Sequence, residues 1–445
     1  MTIFKAYDIR GTYPDQIDAG MARAIGAAFA RFLQAKRLVV GRDMRTMAPE
    51  IQDAVIEGIT SQGCDVVDVG LASTPMVYYC IGKLPCDGGL CVTASHNPKQ
   101  YIGFKLCREE ARPLSAESGI REIQAMVESG DLTASGTPGQ REVVDMKAAF
   151  VDHIVGFVGE LPASRVAIDY ANGMGANEGP AVFAKFPNLE VTSLYGELDG
   201  TFPNHEANPL YEPNLDDLRA SVRESGATLG LAFDGDADRC AFVDEDGRTV
   251  HADLITAILA RGLLERQPGA GIIYDLRSSK VLPEEILRLG GKPVRERVGH
   301  SFMKETMRRE GCVGGGELSG HFYFAENYFT DCGVLAAIMV LSQLGRDGKT
   351  LKEAADALRL YHSTTEINFK VDDKDGLMRT VAERFPGTEV DWLDGVTVTA
   401  ADWWVNVRPS NTEPFLRMRL EASTPELLES KQAELFALLG TPVAH

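Results

Sequence analysis

Three aspartates alternate along one short stretch of the chain, at Asp234, Asp236 and Asp238. They directly follow the apolar run 229–233, which predicts a buried strand. An extended backbone would point alternate side chains to one side, so we expect the three carboxylates to converge. Two like charges about 4 Å apart repel by roughly 1 to 4 kcal/mol, so holding three together requires a cation. Oxygen ligands in this number favour Mg²⁺ or Ca²⁺ over Zn²⁺.

Two other kinds of site could also account for this acidic stretch. An EF-hand is one, since Glu245 stands at the twelfth position of such a loop. It fails because the sixth position, which needs glycine, holds Arg239, and because a strand rather than a helix precedes the loop. A solvated acidic loop without a metal is the other. We expect Mg²⁺.

A serine is presented at the end of another predicted strand. Ser95 lies in the polar turn 93–98 (TASHNP), directly after the apolar run 89–92. Pro98 cannot continue a β-ladder, and open α/β sheets bind ligands at the carboxyl ends of their strands. Ser95 is therefore a candidate for chemistry, although serines in such turns more often cap backbone groups. The side chain of adjacent His96 is expected to diverge from it, which rules out a dyad formed by these two alone.

A third polar turn, near the end of the chain, could bind a phosphate. It offers a guanidinium fork, two hydroxyls and an amide on Arg408, Ser410, Asn411 and Thr412. Such a set can surround an anion with several donors, although similar runs also form ordinary turns.

A glycine-rich loop carries side chains suited to a sugar. Glu317 and Ser319 can hydrogen-bond to hydroxyl groups, and His321 can exchange a proton. A lone histidine is more often structural, and its place in a polar loop favours the functional interpretation. Ser319 is not the nucleophile of a hydrolase elbow, because Glu317 stands where that motif needs glycine.

The elements that must position these groups follow a repeated order. Strands alternate with helices as far as about residue 360, which is typical of layered α/β domains. From about Tyr361 the pattern becomes that of antiparallel strands with one solvated face, closed by a helix over 425–439. A stretch rich in Gly, Ser, Thr and Pro at 129–140 marks the first boundary. The expected domains span residues 1–140, 141–248, 249–360 and 361–445.

Two glycine-rich turns resemble nucleotide-binding motifs but do not match them. In the turn 172–179, Glu178 takes the place of the third glycine of GxGxxG, so we expect a plain strand-to-helix turn. The stretch 345–350 is two residues too short for a P-loop and is expected to join two helices.

Composition narrows the class of protein further. The chain has 445 residues, 44% of them hydrophobic, and a net charge of −19 from 64 acidic and 45 basic residues. This charge argues against nucleic-acid binding and against adhesion to anionic membranes. The eight cysteines form no CxxC pair, which indicates reduced, buried thiols. With no signal peptide or membrane span in the sequence, we expect a cytoplasmic enzyme.

Four motifs, read together, resemble the α-D-phosphohexomutase family, and within it the bacterial phosphomannomutase/phosphoglucomutase branch. They occur in the family's order at 93–98 (TASHNP), 234–239 (DGDADR), 316–321 (GELSGH) and 408–414 (RPSNTEP). The resemblance implies three similar α/β domains with mixed sheets and a C-terminal α+β domain, arranged around a central cleft. It implies a phosphorylated hexose as partner and a monomer or homodimer.

The resemblance also implies roles for single residues. Ser95 would be phosphorylated, and its phosphate would coordinate Mg²⁺ together with Asp234, Asp236 and Asp238. Further catalytic positions would be Arg10, His96, Lys105, Arg239 and His321. Lys105 and His321 would be the candidates for proton transfer.

Substrate-binding roles are implied in the same way. The 3- and 4-hydroxyls of the sugar would be bound by Glu317 and Ser319. The phosphate that does not react would be held by Arg408, Ser410, Asn411 and Thr412. Further contacts would come from Tyr7, His300 and Arg277. Arg277 and Leu318 depart from the lysine and methionine common in related mutases, and the planar guanidinium does not replace an ammonium in every geometry.

The activity implied is that of a phosphomannomutase, which reversibly converts mannose 6-phosphate to mannose 1-phosphate and accepts glucose phosphates as well. The reaction would pass through phospho-Ser95 and a hexose 1,6-bisphosphate. A glucose-dominant mutase or an amino-sugar mutase is the alternative within the family. A catalytically silent sugar-phosphate-binding protein is the alternative outside enzymes.

Overall fold

Four β-sheets organise the chain, which a computed structural model describes over residues 3–410 and 415–443. The elements of the first domain are β1 (Ile9–Thr12), α1 (Ala19–Leu33), β2 (Arg37–Arg42), α2 (Ala48–Ser61), β3 (Asp65–Leu71), α3 (Thr74–Lys83), β4 (Gly88–Val92), β5 (Tyr101–Arg108), α4 (Arg121–Ser129) and β6 (Arg141–Val143). The sheet order is β1-β5-β4-β2-β3-β6. Strands β2, β3, β4 and β6 run parallel, and β5 and β1 are antiparallel to their neighbours.

The second domain has a five-stranded mixed sheet of order β11-β10-β9-β7-β8. Its elements are α5 (Lys147–Val155), β7 (Ser164–Asp169), α6 (Gly175–Phe183), β8 (Leu189–Leu194), α7 (Asp216–Ser225), β9 (Leu229–Phe233), β10 (Cys240–Asp244) and β11 (Thr249–Val250). The hairpin β9–β10 is antiparallel, and the turn between its strands carries the three aspartates.

The third domain repeats this design with the sheet order β13-β12-β14-β15-β16. Its elements are α8 (Ala252–Arg266), β12 (Gly271–Asp275), α9 (Val281–Arg288), β13 (Lys292–Glu296), α10 (His300–Glu310), β14 (Cys312–Gly316), β15 (Phe322–Phe324), β16 (Thr330–Asp331), α11 (Gly333–Asp347) and α12 (Leu351–Asp356). Of the stretch 345–350, the first three residues end α11 and the last three join it to α12, so a connection between two helices is found there as expected.

The fourth domain has an antiparallel sheet. Its elements are β17 (His362–Ser363), β18 (Ile367–Lys370), α13 (Lys374–Arg384), β19 (Glu389–Asp391), β20 (Val396–Thr399), β21 (Trp403–Pro409), β22 (Phe415–Ala422), α14 (Pro425–Leu439) and β23 (Pro442–Val443). The sheet order is β19-β20-β21-β22-β18-β23, and β17 pairs with β22. Two of the expected boundaries differ from the sheets, because β6 at 141–143 pairs with the first sheet and β11 at 249–250 with the second.

The strands that lead into the polar turns are fixed by burial. Every residue of β4, β9, β12 and β14 is buried, as expected for strands covered by helices on both faces. One continuous apolar cluster extends through the first three domains, whereas the fourth has a separate core that runs from Phe369 to Leu439. The turns that follow β4, β9 and β14 are thus anchored on one continuous apolar core.

All eight cysteines are free thiols, and seven of them are buried. None of the described helices is both long enough and apolar enough to cross a lipid bilayer.

Candidate active site

Ser95 follows β4 in a buried turn with an unusual backbone. Its φ is 51°, a left-handed value that is uncommon for a residue with a side chain. The Ser95 hydroxyl donates to Asp234 Oδ2 over 3.0 Å and lies 3.2 Å from His96 Nδ1. The expected divergence of Ser95 and His96 is wrong, because the left-handed turn at Ser95 brings the two adjacent side chains together.

A buried guanidinium, which the sequence motifs do not reveal, hydrogen-bonds to the backbone of this turn. Arg45 is 1% exposed, and its Nε lies 3.2 Å from Asp43 Oδ2. Over 2.6–3.1 Å its two terminal nitrogens donate to the backbone carbonyl oxygens of Ser95, Asn97, Pro98 and Tyr101. The group lies over the ring of Phe202, 5.2 Å from its centroid. In the sequence, Arg45 is marked only by its position shortly after the apolar run 38–40.

The three aspartates converge in the turn between β9 and β10. Their carboxylate oxygens lie within 4.8 Å of one another, and all three residues are buried. The backbone between them is a turn rather than the expected extended segment, with Ala237 at a φ of 63°. The carboxylates therefore meet through a tight loop and not through strand alternation.

Glycine at 235 brings this loop against the serine turn. A Cβ at Gly235 would lie 2.4 Å from the carbonyl oxygen of Ser95, closer than a side-chain atom can approach. Only glycine fits there without displacing the backbone of either loop.

Lys105 on β5 supplies positive charge to the aspartate cluster. Its Nζ donates to Asp236 Oδ2 over 2.6 Å and also to Asp238. Thr74 Oγ1, at the start of α3, donates to the same oxygen of Asp236 over 2.6 Å. Oδ1 of Asp236 and Oδ1 of Asp238 are buried and have no hydrogen-bond partner in the described part of the chain. Two buried carboxylate oxygens without donors fit a divalent cation.

The titration of the cluster follows from burial and from neighbouring charges. Burial, together with the carboxylates of Asp236 and Asp238, raises the pKa of Asp234 well above its ordinary value. Burial also acts to raise the pKa of Asp236, but the Lys105 ammonium outweighs it and the pKa falls below the ordinary value. The pKa of Lys105 is raised, because the aspartates outweigh its desolvation, so this side chain stays an ammonium.

Arg239 and His321 form the next part of the site. Arg239 Nε donates to His321 Nε2 over 3.0 Å and lies 3.7 Å from Asp234 Oδ2. On the opposite edge of the ring, His321 Nδ1 lies 2.7 Å from Asp331 Oδ2. Asp331 also pairs with the buried Lys304, whose Nζ lies 2.6 Å from Oδ1.

Asp331 and Lys304 were missed by sequence reasoning. Asp331 is on the two-residue strand β16 and Lys304 is within α10, and neither stands in a recognisable motif. Burial opposes ionisation of Asp331, but the charge of Lys304 and the nearby His321 lower its pKa well below the ordinary value. The carboxylate therefore fixes the orientation of the His321 ring.

Two further predicted residues lie at the serine turn. Arg10 on β1 donates to Asn97 Oδ1 and pairs with Asp8. Burial, with the charges of Arg239, Arg10 and Lys105, lowers the pKa of His96 well below its ordinary value. His96 is therefore neutral at physiological pH.

Tyr7 and His300 contact each other through their rings, 5.0 Å between centroids in an edge-to-face arrangement. The His300 ring is also 5.9 Å from that of His321. Burial, followed by the charges of Lys304 and Lys105, lowers the pKa of His300 well below its ordinary value. These contacts extend the serine and aspartate site towards α10.

The glycine-rich loop lies beside this group. Glu317 accepts from the backbone N–H of Gly299 over 3.2 Å and from the hydroxyl of Tyr323. Ser319 Oγ is a buried atom without a hydrogen-bond partner in residues 3–410 and 415–443. Glu317 is thus held in place by donors on its own domain, whereas the Ser319 hydroxyl is free to bind a ligand.

Arg277 connects this loop to the fourth domain. Its guanidinium pairs with Asp275, whose Oδ2 also accepts from the backbone N–H of Leu318 over 2.7 Å. On its other side Arg277 NH1 lies 3.5 Å from Glu366 Oε2. Arg408 NH2 donates to Glu366 Oε1 over 2.5 Å. Glu366 is a further residue that sequence reasoning missed, since it stands in no motif.

The predicted phosphate turn is described only in part. Arg408 and Ser410 lie at the end of β21, and the Ser410 N–H donates to the carbonyl of Phe415 over 2.9 Å. Asn411 and Thr412 lie outside the described residues.

A chain of contacts therefore joins most of the predicted site residues that the structure describes. It runs from the serine turn through the aspartates to His321, then through Tyr323 and Glu317 to Arg277 and Arg408. Carboxylates, guanidinium groups and a buried hydroxyl at one site are the groups that phosphoryl transfer requires.

Family models match the four parts of the chain in order. Three are described as phosphoglucomutase/phosphomannomutase, alpha/beta/alpha domains I, II and III, and they match residues 1–134, 148–247 and 251–361. The fourth, the C-terminal domain of the same family, matches residues 366–438. The chain belongs to the phosphoglucomutase/phosphomannomutase family. It is an enzyme of the phosphohexomutase type.

Relatives of this phosphohexomutase match over almost their whole length. A protein of Escherichia coli named phosphomannomutase is 36% identical, over 99% of this chain and 99% of its own. A protein of Xanthomonas campestris named phosphohexose mutases is 37% identical, over 98% of both chains. A crystal structure of a phosphoglucomutase/phosphomannomutase family protein from Burkholderia thailandensis superposes with a TM-score of 0.92 at 32% identity, covering 100% of this chain and 99% of the other.

Proposed function

We propose that this phosphohexomutase interconverts mannose 6-phosphate and mannose 1-phosphate, and accepts glucose phosphates as well. The observation that carries the proposal is the hydrogen bond from the Ser95 hydroxyl to Asp234, within a cluster of three buried aspartates. This arrangement presents a nucleophile to a place where a cation can bind. The names of the relatives support mannose phosphates as substrates.

The aspartate cluster suits Mg²⁺ as the resident ion. Asp234, Asp236 and Asp238 would hold it, together with the phosphate carried on Ser95. When bound, Mg²⁺ would offset negative charge on the transferring phosphoryl group. The chain itself adds Arg239, whose guanidinium lies at the edge of the cluster beside Asp234. It can bind oxygens of the same group.

The reaction would consist of two phosphoryl transfers. In the first, the bond between phosphorus and Ser95 Oγ breaks and a bond to the 6-hydroxyl oxygen of a hexose 1-phosphate forms, giving the 1,6-bisphosphate. The 6-hydroxyl proton passes to a base on the protein, and Ser95 Oγ takes up a proton as it leaves phosphorus. The bisphosphate then reverses its orientation in the site. Its other phosphate is transferred to Ser95 Oγ by the reverse chemistry. Positioning and electrostatics supply most of the rate in such transfers.

Of the two predicted candidates for proton transfer, we favour His321. The pKa of Lys105 is raised beside the aspartates, so it cannot accept a proton near neutral pH. His321 lies between Asp331 and Arg239, an arrangement in which Asp331 would stabilise an imidazolium. Arg239 would have to release Nε2 when the substrate binds.

Specificity would depend on Glu317 and Ser319. Neither is expected to contact the 2-hydroxyl, which is where mannose and glucose differ. A site without contacts to the 2-hydroxyl would therefore accept both sugars. The substrate would bind in two orientations, one for each transfer. In both, the phosphate that does not react would bind near Arg408.

A coupled assay with the full chain tests the proposal. Mannose 1-phosphate, glucose 1-phosphate and glucosamine 1-phosphate are compared as substrates, with Mg²⁺ and a catalytic amount of hexose 1,6-bisphosphate. We expect turnover of the first two and much slower turnover of the third. Preference for glucosamine 1-phosphate, or no turnover of mannose 1-phosphate, would contradict the proposal.

A further inference from the structure

One carboxylate, that of Glu366, lies among three guanidinium groups at the junction of the third and fourth domains. Its Oε1 accepts from Arg408 NH2 over 2.5 Å. Its Oε2 lies 3.5 Å from Arg277 NH1 and 3.7 Å from Arg417 NH1. We refer to Arg277, Arg408 and Arg417 as the arginine cluster. Arg277 belongs to the third domain and the other two to the fourth.

Glu366 is largely covered, with a side chain that is 19% exposed. Burial acts to raise its pKa, but the charges of Arg277, Arg408 and Arg417 lower it to about 2. Arg277 is partly neutralised already by Asp275, whose Oδ2 lies 2.8 Å from its NH2. Glu366 is the carboxylate that faces Arg408.

Arg408 retains the capacity to bind a second anion. Its side chain is 2% exposed, and its Nε has no hydrogen-bond partner among residues 3–410 and 415–443. A buried guanidinium N–H without an acceptor is costly, so an additional acceptor is expected when ligand is bound. A phosphate has the charge and the oxygens to supply it.

We propose that Glu366 is a built-in competitor of phosphate for the arginine cluster. The inference rests on the proposed function in one respect, that this cluster receives the non-reacting phosphate of the substrate. When no phosphate is bound, Glu366 accepts the hydrogen bond of Arg408. When a phosphate is bound, the negative charge of Glu366 lowers the affinity of the arginine cluster for it. It acts as a positioning residue that sets the lifetime of the phosphate in the cluster.

A mutase that binds its substrate in two orientations needs this lower affinity of the arginine cluster for phosphate. The sugar must leave the cluster between the two transfers, so that its other phosphate can take the same place. Binding the phosphate too tightly would stabilise ground states and transition states alike and would slow the exchange. An internal carboxylate that takes over the guanidinium groups lowers the barrier to release.

The test is Glu366→Gln, which keeps the shape of the side chain and removes its charge. The probe is inorganic phosphate, and its Kd is obtained from the rise of Tm with phosphate concentration. We expect Glu366→Gln to bind phosphate about tenfold more tightly than the wild type, since one close negative charge has been removed. An unchanged or larger Kd would overturn the proposal.

Three further variants make the result specific. Glu284→Gln removes a carboxylate that is 43% exposed and accepts a hydrogen bond from the Tyr361 hydroxyl near the same domain junction, and it should leave the Kd unchanged. Glu366→Asp withdraws the carboxylate from Arg408 and should tighten binding in the same direction, which also covers the case that Glu366→Gln does not fold. In an Arg408→Met background, the effect of Glu366→Gln should largely disappear; an effect of full size would place the bound phosphate elsewhere and overturn the proposal.

Kinetics separate the competitor role from a purely structural one. With a hexose 1-phosphate as substrate, Glu366→Gln should lower KM and kcat together, whereas a damaged cluster would raise KM. The phosphate measurement is independent of turnover. If the wild type failed to convert mannose 1-phosphate, the proposed function would fall while the Kd comparison would still decide the role of Glu366.

Discussion

The hydroxyl of Ser95 donates to Asp234 over 3.0 Å, although the two residues are 139 positions apart in the chain. The bond joins the turn after β4 of the first domain to the turn after β9 of the second. Both strands are buried on every residue, so neither end can shift without disturbing a core. The fold therefore fixes the Ser95 hydroxyl beside the cluster of three aspartates.

Replacing the nucleophile tests its role directly. Ser95→Ala should lower mutase turnover by a factor of about a thousand or more, because no other group can carry the phosphoryl between the two transfers. Incubation with hexose 1,6-bisphosphate followed by mass spectrometry should show phosphate on residue 95 of the wild type only. Ser225→Ala, at the end of α7, is the matched control and should retain full activity. Turnover of Ser95→Ala close to that of the control would contradict the assignment.

Lys105 is expected to stabilise the protein when no metal is bound. Its ammonium pairs with Asp236 and Asp238, so Lys105→Met leaves buried carboxylates without a counter-charge. We expect Tm in a chelator to fall by several degrees and the addition of Mg²⁺ to restore most of the loss. Lys352→Met, at a half-exposed surface pair, should show neither effect. If Mg²⁺ raised the Tm of the wild type and of Lys105→Met equally, the ammonium would not substitute for the metal.

Arg45 is expected to control catalysis by setting the serine turn. It binds the carbonyl of Ser95, and in a trans peptide the N–H of His96 then points the opposite way, away from Arg45. Arg45→Lys cannot hold the carbonyl groups in the same fork, so we expect kcat to fall by about tenfold or more with little change in KM. Steady-state kinetics with a hexose 1-phosphate measure both constants.

The matched control for Arg45 lies in the same domain. Arg31 also binds carbonyl oxygens, those of Asp131 and Thr133, but at a distance in sequence and structure from the serine turn. Arg31→Lys should change Tm without changing kcat. Equal losses of kcat in the two variants would show that Arg45 acts through general stability alone.

Glu178 on α6 is expected to make stability depend on pH. Burial raises its pKa to about 7, from an ordinary value of 4.5, despite the hydrogen bond it accepts from the Ser73 N–H. Between these two pH values the unfolded chain has lost the proton and the folded chain keeps it. The free energy of unfolding therefore falls as pH rises, by about 3 kcal/mol at most.

Substitution of Glu178 checks that slope. Glu178→Gln mimics the protonated side chain, so it should stabilise the protein above pH 7 and remove this part of the pH dependence. Chemical denaturation at pH 5, 6, 7 and 8 measures it. A parallel pH profile for the wild type and for Glu178→Gln would disprove the raised pKa.

Sequence patterns were sufficient for the residues that stand in motifs. The alternating aspartates, the serine turn and the glycine-rich loop each combine unusual residue types with a predicted strand end, and the structure places them together. Periodicity likewise predicted the closing helix over 425–439, which the structure has as α14 (Pro425–Leu439). These features depend on local spacing, which a sequence displays.

The residues that were missed depend on tertiary contacts. Arg45 and Glu366 act on partners that are distant in sequence, and Asp331 meets His321 only because the chain folds back between them. No local pattern distinguishes a buried guanidinium or carboxylate from an exposed one. The left-handed turns at Ser95 and Ala237 were missed for a related reason, since backbone strain is imposed by the surrounding packing.

The missing side chain at Gly235 has a consequence for protein engineering. Because its Cα lies against the carbonyl of Ser95, the first and second domains meet there backbone to backbone. A chimaera that takes its first domain from one mutase and its second from another would need complementary main-chain conformations at this point, whatever side chains the parents carry. Crossover sites should therefore be chosen so that both loops come from the same parent.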